Sequence, residues 1–363
     1  MAAGKTKTNW FLYLMLVTIA ILGVGAWQGW NWWVRSSAPV EASSGGDSPD
    51  SPPQLEIVEV KPGSPGQVIG RQLEEQGVIR SATAWNLWTR WLSRQNAGGG
   101  YKAGIYQLSP TQPMQAIAEK LWNGEVMQLD FTIPEGWTLK DMAQYFESEG
   151  FFSAAEFLAA TKEIPYAQYP WLPDNLPHLE GFLYPDTYKL RADDISAEAV
   201  IKQMLDQFER VALPTYQQNA SSTDLSLLEW VTLASIVEKE SVVASERGLI
   251  AGVFTNRLEK GMKLGADPTV EYGLGIKQTA DRPLTWDQVE TPSPYNTYLN
   301  PGLPPTPIAA PGIPSLEATL NPEETEFLYF VARYDGTHVF SRTLAEHEAA
   351  QDAIWDRREA EQQ

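Results

Sequence analysis

The chain has no cysteine and only three histidines in 363 residues. Without thiols it has no disulfides, so its stability must come from packed apolar cores; an oxidising compartment is neither required nor excluded. The length is ample for two such cores. His178, His338 and His347 fall in separate stretches, which argues against a metal triad. There is no G-x-S-x-G, no P-loop and no paired-cysteine motif, so nucleophilic-serine, nucleotide and zinc mechanisms have no support, and neither a cofactor nor a metal is expected. Positive charge is also short: 27 Lys and Arg stand against 46 Asp and Glu, a formal net charge of −19, with no long basic stripe. That balance speaks against a nucleic-acid partner.

What is present begins with an uncharged stretch from Trp10 to Trp27, WFLYLMLVTIAILGVGAW, long enough to cross a hydrocarbon core as a helix. Lys5 and Lys7 precede it, Arg35 follows, and Trp10, Trp27, Trp30, Trp32 and Trp33 suit the interfaces. A cleaved signal peptide should end in small residues at A-x-A spacing, whereas bulky tryptophans occupy that region. The reading is an uncleaved, single-pass anchor in the plasma (inner) membrane. The N-terminus is cytoplasmic and the bulk of the protein lies on the extracytoplasmic side.

The composition then shifts. Residues 36–53 are Ser, Gly, Pro and Asp with few large apolar side chains, as in a disordered tether. After it, Ile57 to Val60 alternates like a strand, Gly66 to Gln76 and Ala82 to Trp91 have helical spacing, and Gly104 to Leu108 is strand-like again. Thr111 to Asn123 gives another helix. From about Glu125 a larger region opens, with a strand at Val126 to Ile133 and helices at Thr138 to Glu149, Ala154 to Ala160, Ala197 to Phe208 and Arg247 to Glu259. Asp267, Pro268 and Thr269 read as a turn, Pro292 to Pro314 as extended loops, and Leu344 to Arg358 as a solvated terminal helix. The expected fold class is α+β rather than a doubly wound sheet. Its divisions are 1–35 (stub and anchor), 36–53 (linker), 54–124 (a small α+β subdomain) and 125–363 (a larger α+β domain).

The most informative segment is LASIVEKES, Leu233 to Ser241. Ser226 and Glu229 have the spacing of a capping box, so a helix should start there. Leu227, Leu228, Val231, Leu233, Ala234, Ile236 and Val237 leave it no broad solvated face, which predicts a central buried helix. Glu238 and Glu240 are two positions apart and, at about 100° per residue, leave the helix in nearly opposite directions. Glu240 lies over the apolar row of Leu233, Ile236 and Val237 and is the candidate for a desolvated acid. Both burial and a helix C-terminus disfavour its charge. The competing reading makes both glutamates solvated residues of a last turn, with Lys239 between them.

LASIVEKES, with Ser245, Glu246 and Arg247, VFTNRL (Val253 to Leu258), ADPTV (Ala266 to Val270), TPSPYNTY (Thr291 to Tyr298) and GLPPTPIAAPG (Gly302 to Gly312), resembles the endolytic murein transglycosylase family, also called YceG-like. IPEGWTL (Ile133 to Leu139) and EGFLYPDTY (Glu180 to Tyr188) fit it as well, and the resemblance covers nearly everything after residue 54 in the family's order. It implies a LysM-like subdomain ahead of a catalytic domain with a lysozyme-like active-site helix. It also implies a lytic transglycosylase that cuts the bond between N-acetylmuramic acid and N-acetylglucosamine in peptidoglycan to leave a 1,6-anhydro end. The family's catalytic acid is the second glutamate of E-K-E, which falls on Glu240. Ser241 stands where many relatives carry Thr and keeps the hydroxyl. Substrate contacts are expected from Ser241, Asp267, Thr269, Tyr295, Asn296, Thr297 and Tyr298. The implied partners are peptidoglycan glycan strands and penicillin-binding synthases. Peptidoglycan carries carboxylates, so its recognition by so acidic a chain should depend on short-range hydrogen bonds and sugar stacking. Two other classes remain open on the residues alone: a two-carboxylate hydrolase using Glu135, Glu180 or Asp186 as partner, and a non-catalytic wall-binding scaffold for synthases.

Overall fold

A computed structural model of the chain describes residues 7–41, 55–95, 99–221, 223–279, 282–333 and 335–361. It mixes helix and strand, with three separate two-stranded sheets among the described residues. Two compact units divide the chain, one of Met1–Leu129 and Arg191–Asp194, the other of Asp130–Leu190 and Ile195–Gln363.

The first unit opens with helix α1 (Lys7–Ser37). From Trp10 to Ser37 it is long and apolar enough to cross a membrane, and its most apolar window is wholly unburied; a signal sequence would share these properties. The helix runs past Trp27 because nothing interrupts it before Ser37, whose hydroxyl donates to the Trp33 carbonyl. Ser36 and Ser37, read as linker, are therefore helical. Arg80 donates to the carbonyls of Pro39 and Val40, and Glu41 N donates to Pro110 O, so the chain is held as far as residue 41. The rest of the expected linker, 42–53, lies outside the described residues.

Strand β1 (Glu56–Val60) is followed by α2 (Gly66–Glu75), α3 (Ala82–Gln95), β2 (Gly104–Leu108) and α4 (Met114–Asn123). β1 and β2 pair antiparallel, Glu56 opposite Leu108 and Val60 opposite Gly104. Val58, Val60, Tyr106 and Leu108 point inward onto Ile69, Leu73, Trp85, Ile117 and Leu121, so each strand has one buried face. Gly70 is fixed by this packing, since a Cβ there would fall 2.4 Å from Trp85 Cδ1.

Beyond β3 (Gln128–Thr132) come α5 (Leu139–Ser148), α6 (Ala154–Ala160), β4 (Thr187–Arg191), α7 (Ala197–Asn219), α8 (Leu227–Glu240), α9 (Arg247–Glu259), α10 (Asp267–Leu274), α11 (Trp286–Val289), α12 (Ile313–Leu320), β5 (Tyr329–Ala332), β6 (His338–Ser341) and α13 (Leu344–Glu361). β3 pairs with β4, and β5 with β6 in antiparallel register. Helix α7 extends well past Phe208 and contains Pro214, where sequence rules expect a break. Packing outweighs the lost hydrogen bond: Ala212 and Leu213 are buried, Tyr216 stacks on Trp230 and its hydroxyl donates to Leu225 O. Asp267 to Thr269, expected as a turn, is instead the first turn of α10. Proline is tolerated there because the first turn's N–H groups have no intrahelical partner.

α8 is the axis of the second unit. Its Trp230, Val231 and Ala234 belong to a core built with α5, α6, α7 and Leu316 of α12, whereas Leu233, Ile236 and Val237 belong to a second core with α9, Leu264, Ala266 and Ile308. Trp230 Nε1 donates to Leu316 O (2.9 Å), and Ser235 Oγ accepts from Ile308 N (3.0 Å). The predicted capping box at its start is present.

Helix α9 meets the segment after α12 at Gly252, where a Cβ would fall 2.4 Å from Glu323 O. The neighbour is backbone and cannot rotate away, so Gly252→Ala should lower stability by about 1–3 kcal/mol, read as a fall in urea midpoint with an unchanged slope.

Candidate active site

α8 ends at Ser241, whose extended backbone stops the helix. The last turn therefore holds both Glu238 and Glu240, and the two side chains diverge as their spacing requires. Glu238 turns toward the start of α12. Its Oε2 accepts from Gly312 N (3.1 Å) and Ser315 Oγ (2.6 Å), and Arg247 lies 3.9 Å from Oε1. Its acceptor capacity is largely used.

Glu240 turns toward α10 and α9. Among the described residues its carboxyl takes part in no hydrogen bond or ion pair, and the residue is partly exposed, so a solute can reach it. Burial against the apolar end of α8 raises its pKa, the negative charges of Asp267 and Glu271 raise it further, and Arg257 opposes them; the result is about 8. At neutral pH Glu240 is a protonated acid. Arg257 is held by Leu328 and Leu264 carbonyls and lies over the Tyr329 ring at 5.0 Å.

The residues read as substrate contacts separate into two groups. Asp267 accepts from the Tyr298 hydroxyl (2.7 Å), which joins α10 to the 295–298 loop beside Glu240. Burial and the Asp267 charge both push the Tyr298 hydroxyl upward, so it stays a donor. Tyr295 is partly exposed, packs against Tyr272 at 4.8 Å between ring centroids and shares a hydrogen bond with Thr306 (2.9 Å). Thr269, Asn296 and Thr297 are buried and occupied internally. Thr269 and Thr297 share a hydrogen bond (2.8 Å), Ala266 N donates to Thr297 Oγ1 (2.9 Å), and Asn296 Nδ2 donates to the Val289 and Thr291 carbonyls. In this conformation these three brace the loop rather than face solvent. The Ser241 hydroxyl is buried without a partner among the described residues, and so makes no bond to Glu240.

Next to this cluster is a cavity of about 610 Å³, lined in part by Lys239, Pro268, Glu271, Tyr272, Tyr295 and Ile308. At its wall Glu180 is buried. Its oxygens accept from Leu139 N at 3.1 Å and from Tyr272 Oη at 3.0 Å, and desolvation pushes its pKa to about 8. Glu135 sits against Gly312, its pKa raised by burial and by Glu238. Asp186 is engaged by Thr187 N and Gln207 Nε2. Among the described residues no group of three His, Asp or Glu side chains is placed to hold a metal ion. Glu271, Arg257 and Tyr272 were not singled out from sequence. Glu271 shares a helix face with Asp267, four positions earlier, but only once 267–274 is helix rather than the expected turn, and Arg257 and Tyr272 likewise gave no signal short of the fold.

The model described as the YceG-like family matches residues 58–353. The chain belongs to the YceG-like family. An endolytic murein transglycosylase of Bacillus subtilis is 34% identical over 308 residues, covering 81% of this chain and 83% of the relative. An endolytic murein transglycosylase of Streptococcus pneumoniae is 30% identical over 372 residues; 93% of this chain is covered, but only 65% of that longer relative. A crystal structure of a yceG-like protein from Listeria monocytogenes superposes with a TM-score of 0.56 at 35% identity, covering 82% of this chain and all of that one.

The raised pKa has a measurable cost. An unfolded glutamate releases its proton near 4.5, whereas Glu240 holds it to about 8, so this group's contribution to stability is complete below 4.5 and is lost as pH rises through 8. Glu240→Gln removes that loss. The variant should be more stable than the parent at pH 7.5, by up to about 4 kcal/mol, and equal to it near pH 4, as read by thermal melts at the two pH values.

Proposed function

We propose that this YceG-like protein is a membrane-anchored endolytic peptidoglycan lytic transglycosylase with Glu240 as its acid. The observation that carries the proposal is the placement of Glu240: partly exposed at the end of a buried helix, facing Asp267 and Glu271, its pKa raised by burial and by their charges, and with no hydrogen-bond partner among the described residues. Breaking a β-1,4 glycosidic bond needs a proton on the leaving oxygen while positive charge develops on the sugar ring. Glu240 gives its proton to the oxygen between N-acetylmuramic acid and N-acetylglucosamine. The resulting carboxylate then takes the proton of the muramoyl 6-hydroxyl as that oxygen attacks the anomeric carbon, closing a 1,6-anhydro ring. One carboxyl serves both steps. Tyr298 and Asp267 position the glycan, Tyr295 offers a ring face, and Thr269, Asn296 and Thr297 hold the loop that carries these groups. The Ser241 hydroxyl, buried at the end of α8 without a partner among the described residues, reaches the sugar or orients Glu240 only if it turns when substrate binds. The relatives named endolytic murein transglycosylase support this reading.

A two-carboxylate hydrolase needs an ionised second group to activate water. Glu180 is buried, with its pKa pushed to about 8 and its oxygens taken by Leu139 N and Tyr272 Oη, and Asp186 has its oxygens occupied, which makes these two poor bases; Glu135 sits against Gly312 beside Glu238, its pKa raised by burial and by that neighbour's charge. A non-catalytic scaffold gives no reason for a protonated Glu240. The same proposal takes α1 as an uncleaved anchor that holds a LysM-like subdomain (54–124) and a catalytic domain (125–363) outside the plasma membrane. There it would trim nascent strands in contact with penicillin-binding synthases.

Incubation of the full-length protein in detergent with uncrosslinked glycan strands, followed by mass spectrometry, should yield 1,6-anhydro ends. Glu240→Gln should lose about 10²- to 10⁴-fold in rate while remaining folded. The wild-type rate should fall as pH rises past about 8, where the acid ionises. Hydrated reducing ends would instead identify a hydrolase, and full activity of Glu240→Gln would remove Glu240 from the mechanism.

A further inference from the structure

The chain carries a net charge of −19, yet the cavity beside Glu240 is locally basic. Lys140, Lys162, Lys239 and Lys277 line it, with His178, whose pKa is lowered by burial and by Lys162 so that it adds no charge at neutral pH; the carboxyl groups on its wall are Asp141, Glu180 and Glu271. Glu180 is pushed to about 8 and adds no negative charge at neutral pH. Lys239 donates to the Gly136 carbonyl at 3.2 Å. Lys140, Lys162 and Lys277 are exposed and, among the described residues, have no ion-pair partner and donate no hydrogen bond. Three cations left without partners around one concavity of an acidic protein are a receptor for an anion.

The cavity also limits what the anion is. At about 610 Å³ it is far larger than a phosphate and suits a few linked residues. Leu139, Leu158, Ile276 and Ile308 give it apolar wall, and Thr138, Gln144 and Tyr272 supply hydroxyl and amide groups. Lysines, apolar patches and side-chain amides together match a short peptide with free carboxylates. The position matters as well. Glu271 and Lys239 belong to the cavity wall, while Glu271 is one of the charges acting on Glu240 and Lys239 is its neighbour in sequence. A muramoyl ring whose anomeric bond lies at Glu240 carries its peptide substituent on the same ring, only a few atoms from the bond being broken.

We infer that this cavity is the binding site for the anionic stem peptide of the muramoyl residue being cleaved, with Lys140, Lys162 and Lys277 receiving its carboxylates. The inference rests on the glycan-cleaving reading given above, but it predicts a binding event that can be read without cleavage. It makes the enzyme select strands that still bear peptides.

The direct test uses the full-length protein in detergent with a free L-alanyl-γ-D-glutamyl tripeptide as probe, its binding followed by calorimetry at low and moderate salt. The wild type should bind, more weakly as salt rises. Lys140→Gln/Lys162→Gln/Lys277→Gln should weaken binding about tenfold or more, whereas Lys189→Gln/Lys202→Gln/Lys260→Gln, of equal net charge, should not. No binding by the wild type, or equal losses in the two triple variants, would overturn the assignment. So would inorganic pyrophosphate binding with the same lysine dependence while the peptide does not bind. A second arm compares cleavage of peptide-bearing and amidase-stripped strands. The wild type should show a lower KM on the peptide-bearing strands, and the first triple variant should bring the ratio of the two KM values toward 1; a ratio left unchanged in that variant would overturn the site. If the wild type cuts neither strand, the glycan-cleaving reading has failed, and the calorimetric arm still decides whether the cavity takes the peptide.

Discussion

Everything at the candidate site depends on α8 being buried on all sides. A helix that packs into two cores at once has little choice of rotation, because Trp230, Val231 and Ala234 fix one face and Leu233, Ile236 and Val237 the other. Its last turn is therefore delivered at a set angle, and the two glutamates there meet different environments. Glu238 finds a helix start and a serine hydroxyl, both of which donate hydrogen bonds to it. Glu240 finds apolar wall and two further acids, which suit a protonated carboxyl. The same E-K-E triplet thus supplies a hydrogen-bonded structural carboxyl and a candidate acid from positions two residues apart.

The surroundings of Glu240 divide the work between elements. α10 brings Asp267 and Glu271, whose charges hold the proton on. α9 brings Arg257, which limits how far the shift goes and is itself anchored on backbone carbonyls. The 295–298 loop is tied down by buried Asn296 and by the Thr269–Thr297 pair, so the exposed parts of Tyr295 and Tyr298 sit on a braced support. Rigid backing of this kind is what a site needs if its donors are to be in place before substrate arrives. The arrangement costs stability at neutral pH, as functional sites commonly do.

Much of the fold is legible in the sequence. The strand–helix–helix–strand order from Ile57 to Leu108, the capping box at Ser226 and Glu229, and the span of α9 follow from periodicity and end signals, which act locally. The facial separation of Glu238 and Glu240 follows from helix geometry alone. What was misread depended on tertiary packing. Pro214 stays inside α7 because Tyr216 and Leu213 have a core to fill, and Asp267 to Thr269 becomes helix because the following residues, Val270 among them, are buried. For the same reason sequence could not separate the polar residues that face a substrate from those that stitch a loop together: Thr269, Asn296 and Thr297 look like sugar ligands in a string of letters and are buried braces in space. The reverse error applies to the lysines near Glu180 and Tyr272, which are scattered between positions 140 and 277 and become a basic concavity only once the chain has folded.

The central claim is that Glu240 is protonated at neutral pH in a helix end desolvated on its own side. The most direct measurement is a site-resolved ¹³C titration of the Glu240 side-chain carboxyl in the full chain, assigned by its loss in Glu240→Gln. The account predicts a midpoint near 8, moving down when Asp267 is replaced by Asn. A midpoint near 4.5, the ordinary value for glutamate, unmoved by that replacement, would contradict it.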